Sequence, residues 1–467
     1  MKLTFWGAAR QVTGSLHVVE TVSGKKILLD CGLYQGPKHG FDEPNSEWPC
    51  PPSEVDFVIL SHAHIDHCGL LPKLVAAGYD GPIFSTPATR DLATIMLLDS
   101  AHIQEKDAEY ENIRREKQGK PKVQPLYTTA DVVPCLNSFV TVGYEKWFEI
   151  SREISFVFKD AGHLLGSATV TLKIQENGKE IMLGFTGDVG RPDRPILKDP
   201  VPMPPLDYLI CESTYGSRVH EMGPEAEDKL LEIVKETCVR NKGKLIIPAF
   251  SVGRTQEIIY SLDRLSHSGL LPQIPVYVDS PLAVNATDIF RMHPECFDAE
   301  LMQYLLKDSD PFGFSQLHYV RDVNESKALN LREGPCIIIS ASGMIEAGRI
   351  KHHIRNNISN SRNTILIVGY CTPNTIGGKL RAGAETIMLF GEEYPVRAKV
   401  IILDAYSAHG DQKEIFDVLQ NQTPGKMKKV FLVHGEENDM EVFRDAWLQK
   451  GFKEIVLPRR KESFILA

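Results

Sequence analysis

Apolar positions fall along this chain in two textures. Near the start, short runs of β-branched and aliphatic residues stop at glycine or aspartate, as in "KLTFWGA", "SLHVVET" and "KKILLDCG", which predicts strands with tight connections. "DFVILSHAHIDHCGLLPKLVAAGYDGPIF" predicts a strand, a histidine-rich loop, a helix ending near Gly78 and another strand. The segment "ATRDLATIMLLDSAHIQEKDAEYENIRREKQGK" has apolar residues at helical spacing and then turns highly charged. A long helix with a solvated far end is expected. Short strands return between "YTTADVVPCL" and "GDVGRPDR".

After the proline-rich "KDPVPMPPLDYLI" the texture shifts to repeated strand, loop and helix units, among them "GKLIIPAFSVGRTQEIIYSLDRL", "PVYVDSPLAVNATDIF", "GPCIIISASGM" and "TILIVGY". That is the pattern of a parallel sheet with crossover helices. From "VRAKVIILDAYSAHGD" onwards, strands ending at histidines reappear, as in "KKVFLVHGEEND". The pattern therefore predicts an α/β unit, at about residues 208–396, inserted between two pieces of a first domain at 1–207 and 397–467.

Composition alters this picture little. With 42% hydrophobic and 24% charged residues, the 467-residue chain reads as globular and large enough for more than one core. No apolar run approaches the roughly 20 residues that span a bilayer, and "MKLTFWGAARQ" lacks the apolar core of a signal peptide. A cytoplasmic protein with no membrane partner is expected. Nine cysteines without a CxxC pair read as reduced thiols, with Cys31 and Cys68 as small apolar filler. The net charge of −9 argues against a surface coated in basic groups, yet leaves room for a local basic groove.

The stretch "SHAHIDHCG" carries the clearest chemistry. His62, His64, Asp66 and His67 offer four ligand groups on one segment between a strand and a helix. In extended chain His62 and His64 point the same way and can reach one ion, whereas Asp66 and His67, at the turn, are free to reach a second. Neither ion is complete with these groups, so further ligands are required at other strand ends. His163 in "AGHLLGS", Asp188 in "TGDVG", His409 in "YSAHGD" and His434 in "LVHGEE" are the candidates. His17 and His39 stand outside this ordered set and read as structural.

The set Asp30, "HAHIDH", His163 and Asp188 resembles, in order and context, the motifs of the metallo-β-lactamase fold. Glu212 in "CESTYG", then "PAFSVGRTQE", "VYVDSPLA", "ISASGMIEAGR", His409 and His434 resemble the β-CASP nucleases of that superfamily, including bacterial and archaeal RNA-processing members similar to the cleavage and polyadenylation specificity factor endonuclease. The resemblance covers nearly the whole chain. It implies an α/β protein, an αββα metallo-β-lactamase sandwich with an inserted β-CASP domain.

The same resemblance implies two divalent metal ions. His62, His64, His163 and Asp188 would hold one; Asp66, His67, His434 and a shared Asp188 would hold the other. A His and Asp donor set suits zinc, and manganese also fits. Asp30 would stand behind the ligands and fix their geometry and tautomer. The implied reaction is hydrolysis of a phosphodiester by hydroxide generated between the ions, with His409 protonating the leaving oxygen and Glu212 orienting His409. Products with 5′-phosphate and 3′-hydroxyl ends follow from the family pattern.

Histidine at position 434 points to RNA, because the DNA members of the family usually carry an apolar residue there. The expected activity is endonucleolytic cleavage of single-stranded RNA. A DNA nuclease of the same family and an inactive RNA-binding scaffold are the rival readings, and the intact ligand positions count against the scaffold.

Arg254, Ser342 and the basic stretch "GRIKHHIRNNISNSR" are candidate contacts to the phosphate backbone, the last equally readable as a solvated helix face. His352 and His353, being adjacent, point in different directions. Where many relatives have a sequence close to "GYQAEGTLGR", this chain has "GYCTPNTIGGKL", so Gly378 occupies the usual arginine position. No further RNA-binding module is evident at either end, which leaves substrate capture to a cleft expected where the insert covers the metals, to a homodimer or to RNA-processing partner proteins.

Overall fold

The apolar runs at the start of the chain form strands, as the pattern predicts: Lys2–Phe5 buries alternate residues, while His17–Glu20 and Lys26–Leu29 each bury three in succession. In the computed structural model of the protein, residues 1–36, 44–218, 226–369, 371–403 and 408–466 are described, and His39 lies outside them. The chain divides into two compact units, Met1–His220 with His409–Ala467, and Glu221–Ala408.

The first unit holds two seven-stranded sheets. One runs in the order Glu462–Ile465, Lys2–Phe5, His17–Glu20, Lys26–Leu29, Phe57–Ile59, Ile83–Ser85 and Phe139–Thr141. The other runs Ile455–Val456, Lys429–Val433, Tyr208–Glu212, Lys179–Phe185, Ala168–Glu176, Ile154–Asp160 and Phe148–Glu149. Alternate residues from both sheets (Leu3, Phe5, Ile27, Leu29, Phe57, Ile59, Phe156, Phe158, Leu183, Phe185) make one core, which is the arrangement of two sheets packed face to face.

The other face of the second sheet, with Leu209, Cys211, Val430 and Leu432, is covered by Ile415 and Val418 of the helix Gln412–Val418 and by Phe443 and Trp447 of Glu437–Gln449. Beside the first sheet run the helices Leu71–Ala76, Pro87–Lys117 and Thr129–Asn137, burying Leu71, Leu74, Leu92 and Val132. The long helix is the expected one, and its far end is solvated, with Tyr110 77% exposed. The helix expected to end near Gly78 is instead two short ones, Ile65–Cys68 and Leu71–Ala76.

The second unit is built on six parallel strands in the order Leu317–Tyr319, Val276–Val278, Cys336–Ser340, Lys244–Pro248, Thr364–Ile367 and Lys399–Ile402. "CIIIS" and "TILI" are buried throughout, as parallel strands covered on both faces require. A polar knot lies inside this unit. Fully buried Asp279 accepts from Arg349 Nη1 at 2.6 Å, from Ser326 Oγ at 2.5 Å and pairs with His353 Nε2 at 2.6 Å.

The units divide about a dozen residues later than the texture of the sequence places the boundaries. Tyr208–Glu212 pairs with Lys179–Phe185 and Lys429–Val433, so it completes a sheet of the first unit. Lys399–Ile402 pairs with Thr364–Ile367 and belongs to the second. Strand pairing, which is not local in sequence, decides both. Among the described residues no helix is long and apolar enough to cross a membrane.

Candidate metal centre

Strand direction brings the polar groups together. Lys179–Phe185, Tyr208–Glu212 and Lys429–Val433 are parallel neighbours, and Ile154–Asp160 runs the same way because two antiparallel steps separate it from Lys179–Phe185. Their carboxyl ends therefore share one edge, which carries His163, Asp188, Glu212 and His434. Asp30 and the "SHAHIDH" loop follow the parallel strands Lys26–Leu29 and Phe57–Ile59 of the facing sheet. Gly187, at φ 54°, lets the chain turn just before Asp188, and a Cβ there would lie 2.7 Å from that of Ser61.

Four donor atoms form the first cage. His62 Nε2 lies 3.0 Å from His64 Nδ1, His163 Nε2 lies 3.3 Å from the same atom, and both Nε2 atoms lie 3.6 Å from Asp188 Oδ2. A tetrahedral ion with bonds of about 2.0–2.1 Å spaces its ligands roughly 3.3–3.4 Å apart, so the cage has the dimensions of a tetrahedral metal site.

The second group is Asp66, His67 and His434. His67 Nε2 stands 3.2 Å from His434 Nε2, and the latter 3.3 Å from Asp66 Oδ2. Asp188 faces this group with its other oxygen, Oδ1 lying 3.3 Å from His67 Nε2. Oδ1 is buried and accepts no hydrogen bond. A buried carboxylate oxygen left without a donor is costly, and a cation between the two groups would satisfy it.

Electrostatics fit the same role at the first cage. Burial pushes His62 well below the usual imidazole range and His64 down to about 4, leaving their lone pairs free for coordination. Burial acts the same way on His67, but Asp188 and Asp30 outweigh it and raise this imidazole well above its usual range. Burial also pushes Asp66 up, yet the hydrogen bond from His434 and the charge of His67 hold it at about 2.

Behind the donors stand groups that orient them. Asp30 is fully buried and takes His67 Nδ1 at 2.6 Å, the Ser61 amide at 2.8 Å, Ser61 Oγ at 3.0 Å and Ser15 Oγ at 3.2 Å. Thr214 Oγ1 donates to the His434 carbonyl at 3.0 Å and lies 3.1 Å from His434 Nδ1. Ser15, Ser61 and Thr214 were not picked out by sequence reasoning. Ser61 opens the histidine motif and Thr214 lies inside "CESTYG", whereas Ser15, in "TGSLHVV", carries no such signal. His17 is buried edge-on to Phe5 and Phe185, and burial lowers it to about 3.

His409 and Glu212 meet at the rim. His409 Nδ1 lies 3.3 Å from Glu212 Oε2 and 3.9 Å from Asp188 Oδ2, with its side chain 21% exposed and its ring against that of His163. Burial disfavours charge on this imidazole, but Glu212 and Asp188 prevail and raise it to about 9. Glu212 itself is fully buried, receiving the Val189 amide on Oε1.

Family models match the chain in three places: a metallo-beta-lactamase superfamily domain at residues 19–186, a Beta-Casp domain at 255–380, and a Zn-dependent metallo-hydrolase RNA specificity domain at 393–458. The chain is 35% identical to "Ribonuclease TTHA0252" of Thermus thermophilus, over 99% of each chain. This chain belongs to the β-CASP family of the metallo-β-lactamase superfamily. It is also 31% identical to "Transcription termination factor FttA" of Methanocaldococcus jannaschii, over 99% of this chain and 71% of that protein. An "RNase J-like protein" from the same archaeon is 32% identical over 93% and 92%. As a β-CASP member the chain is a metallo-hydrolase, and its donor cluster fits divalent metal binding.

The expected substrate contacts belong to the other unit. Arg254 opens the helix Arg254–His267 with a buried side chain paired to Glu257. Ser342 Oγ accepts from the Glu346 and Ala347 amides at 3.2 and 3.3 Å. His353 is buried on Asp279 while His352 faces outward, so the two do point apart. Gly378 lies in the helix Ile376–Arg381 where a Cβ would come 2.1 Å from the Thr372 carbonyl oxygen, and an arginine there would displace that loop.

Proposed function

We propose that the protein is a metal-dependent ribonuclease that hydrolyses phosphodiester bonds within single-stranded RNA, leaving 5′-phosphate and 3′-hydroxyl ends. One observation carries the reading: two groups of donor atoms face opposite oxygens of Asp188, one of which is buried without a hydrogen-bond donor. His62, His64, His163 and Asp188 would hold one divalent ion, and Asp66, His67, His434 and Asp188 the other. Zinc is the expected metal from the donor set. Two such cations supply a nucleophile at neutral pH and charge stabilisation for the phosphoryl oxygens.

The chain's own groups do the rest. Asp30 accepts the Nδ1 proton of His67 and so aims its Nε2 lone pair into the site. Thr214, whose hydroxyl hydrogen goes to the His434 carbonyl, accepts from His434 Nδ1 and orients that ring likewise. His409 carries a proton at neutral pH and stands at the rim, where it protonates the departing ribose oxygen from Nε2 while Glu212 holds Nδ1. RNA as substrate is supported by the ribonuclease relative and by the RNA specificity model over residues 393–458. Arg254 and Ser342 use their side chains locally, so the reading takes no step through them.

The test is incubation of purified protein with RNA and DNA oligonucleotides labelled at either end, with and without chelator. Internal cuts in RNA alone, abolished by chelator and by Asp66→Ala/His67→Ala, are expected. Full RNA cleavage by that double variant refutes the metal mechanism, and cleavage of DNA alone refutes the substrate.

A further inference from the structure

Within the second unit, the strands Thr386–Leu389 and Glu392–Pro395 form a hairpin in which Leu389 pairs with Glu392, so the loop is Phe390 and Gly391 alone. Both loop residues have positive φ, 53° and 84°. Such turns favour Asn-Gly, Asp-Gly or Gly-Gly, because a side chain at the first position is strained in the left-handed region. A bulky aromatic there is an outlier. Backbone strain of this kind persists where it serves the molecule, and here it sets on a hairpin tip a ring that is 50% exposed.

The neighbours of that ring are basic. The helix Ile350–Asn357 buries Ile350, His353, Ile354 and Asn357 and turns its other face to the hairpin. His352 stacks on Phe390 with ring centroids 4.7 Å apart and planes at 29°. Lys351 Nζ lies 5.4 Å from the Phe390 centroid and Arg355 Cζ 5.7 Å. Among the described residues neither cation pairs with a carboxylate. Glu392, next to the turn, is engaged by the Tyr394 hydroxyl. Burial, then Arg355, His353, Lys351 and Lys327, lower His352, so this ring stacks as a neutral imidazole in a positive field.

We propose that Phe390, His352, Lys351 and Arg355 form a second RNA-binding site, a platform on which one unpaired base stacks while the two cations hold its flanking phosphates. The proposal rests on the RNA reading above. Single strands are held in this way elsewhere, by aromatic faces that accept any base together with cations along the backbone. No metal donor belongs to the platform, so it contributes affinity and not bond cleavage.

Phe390→Asn separates binding from folding, because it makes the favoured Asn-Gly turn. The assay is fluorescence anisotropy of the full chain with a labelled phosphorothioate oligouridylate across a salt series, beside thermal melting. Melting at or above the temperature of the unaltered protein, with about tenfold weaker binding, is expected, since one base stack is worth roughly this factor or more. Lys351→Gln and Arg355→Gln should each reduce the slope of log affinity against log salt by about 0.7, one phosphate contact on a single strand. RNA binding that Phe390→Asn leaves unchanged in a protein that melts normally overturns the platform alone. No RNA binding by the unaltered protein overturns the ribonuclease reading and the platform with it.

Discussion

Asp30→Asn tests how the site selects its ligand atoms. The carboxylate receives the Ser61 amide on Oδ1, and Ser61 Oγ, Ser15 Oγ and His67 Nδ1 on Oδ2. An asparagine keeps the shape but must turn its NH2 toward one side. Facing Ser61, it sets two donors against each other; facing His67, it meets an N–H and drives the imidazole to the other tautomer. That tautomer carries hydrogen on Nε2, the atom 3.2 Å from His434 Nε2 and 3.3 Å from Asp188 Oδ1. The lone pair needed by the second ion is then lost.

Loss of such a supporting partner costs about 10–100-fold in metal affinity, or about 1.4–2.7 kcal/mol. The assay is zinc affinity by competition with a chromophoric chelator, with bound metal counted by mass spectrometry. Weaker binding of one equivalent is expected, with the other less affected, because Asp30 bonds His67 directly and reaches the first cage only through Ser61, whose Oγ lies 3.1 Å from His62 Nδ1. Equal loss at both sites, or none, in a protein that melts normally refutes the tautomer argument.

Two further outcomes follow from buried charges. The folded-state value of His409, about 9, exceeds its unfolded 6.5, so this group stabilises the metal-free protein fully below 6.5 and loses that effect as pH rises through 9. Glu212→Gln should flatten that dependence in urea unfolding followed from pH 6 to 10, and it should lower kcat for RNA by about 10²-fold or more if His409 is the acid. Asp279→Ala leaves Arg349 and His353 without their buried carboxylate and should destabilise the second unit by about 3–5 kcal/mol, seen as an early melting transition in calorimetry.

Strand and helix textures were legible because each depends on local periodicity. The cluster from His62 to His67 was legible for the same reason, since its groups are neighbours in the chain and could not fall far apart. Alternation put His62 with His64 and Asp66 with His67, the same two groupings into which their donor atoms fall. Positions at strand ends made His163, Asp188 and His434 candidates, and the family pattern divided them between the two ions, which no local rule would have done.

Other features belong to the tertiary structure alone. Asp188 turns one oxygen to each donor group, Asp30 serves His67 in particular, and Thr214 reaches His434 from 220 residues away. Each of these depends on which strand ends share an edge, a property of pairing between distant segments. The unit boundaries moved for the same reason, when Tyr208–Glu212 and Lys399–Ile402 found their sheets. The basic stretch with Lys351 and Arg355 was legible as a phosphate contact, but its partnership with Phe390 was not, because helix and hairpin are separate in sequence and become neighbours only when the second unit folds. The sequence by itself determined which chemical groups are present and which lie on one loop; the fold decided which atom of each group faces which partner, because hydrogen bonding and coordination act over about three ångströms and only packing brings distant chain that close.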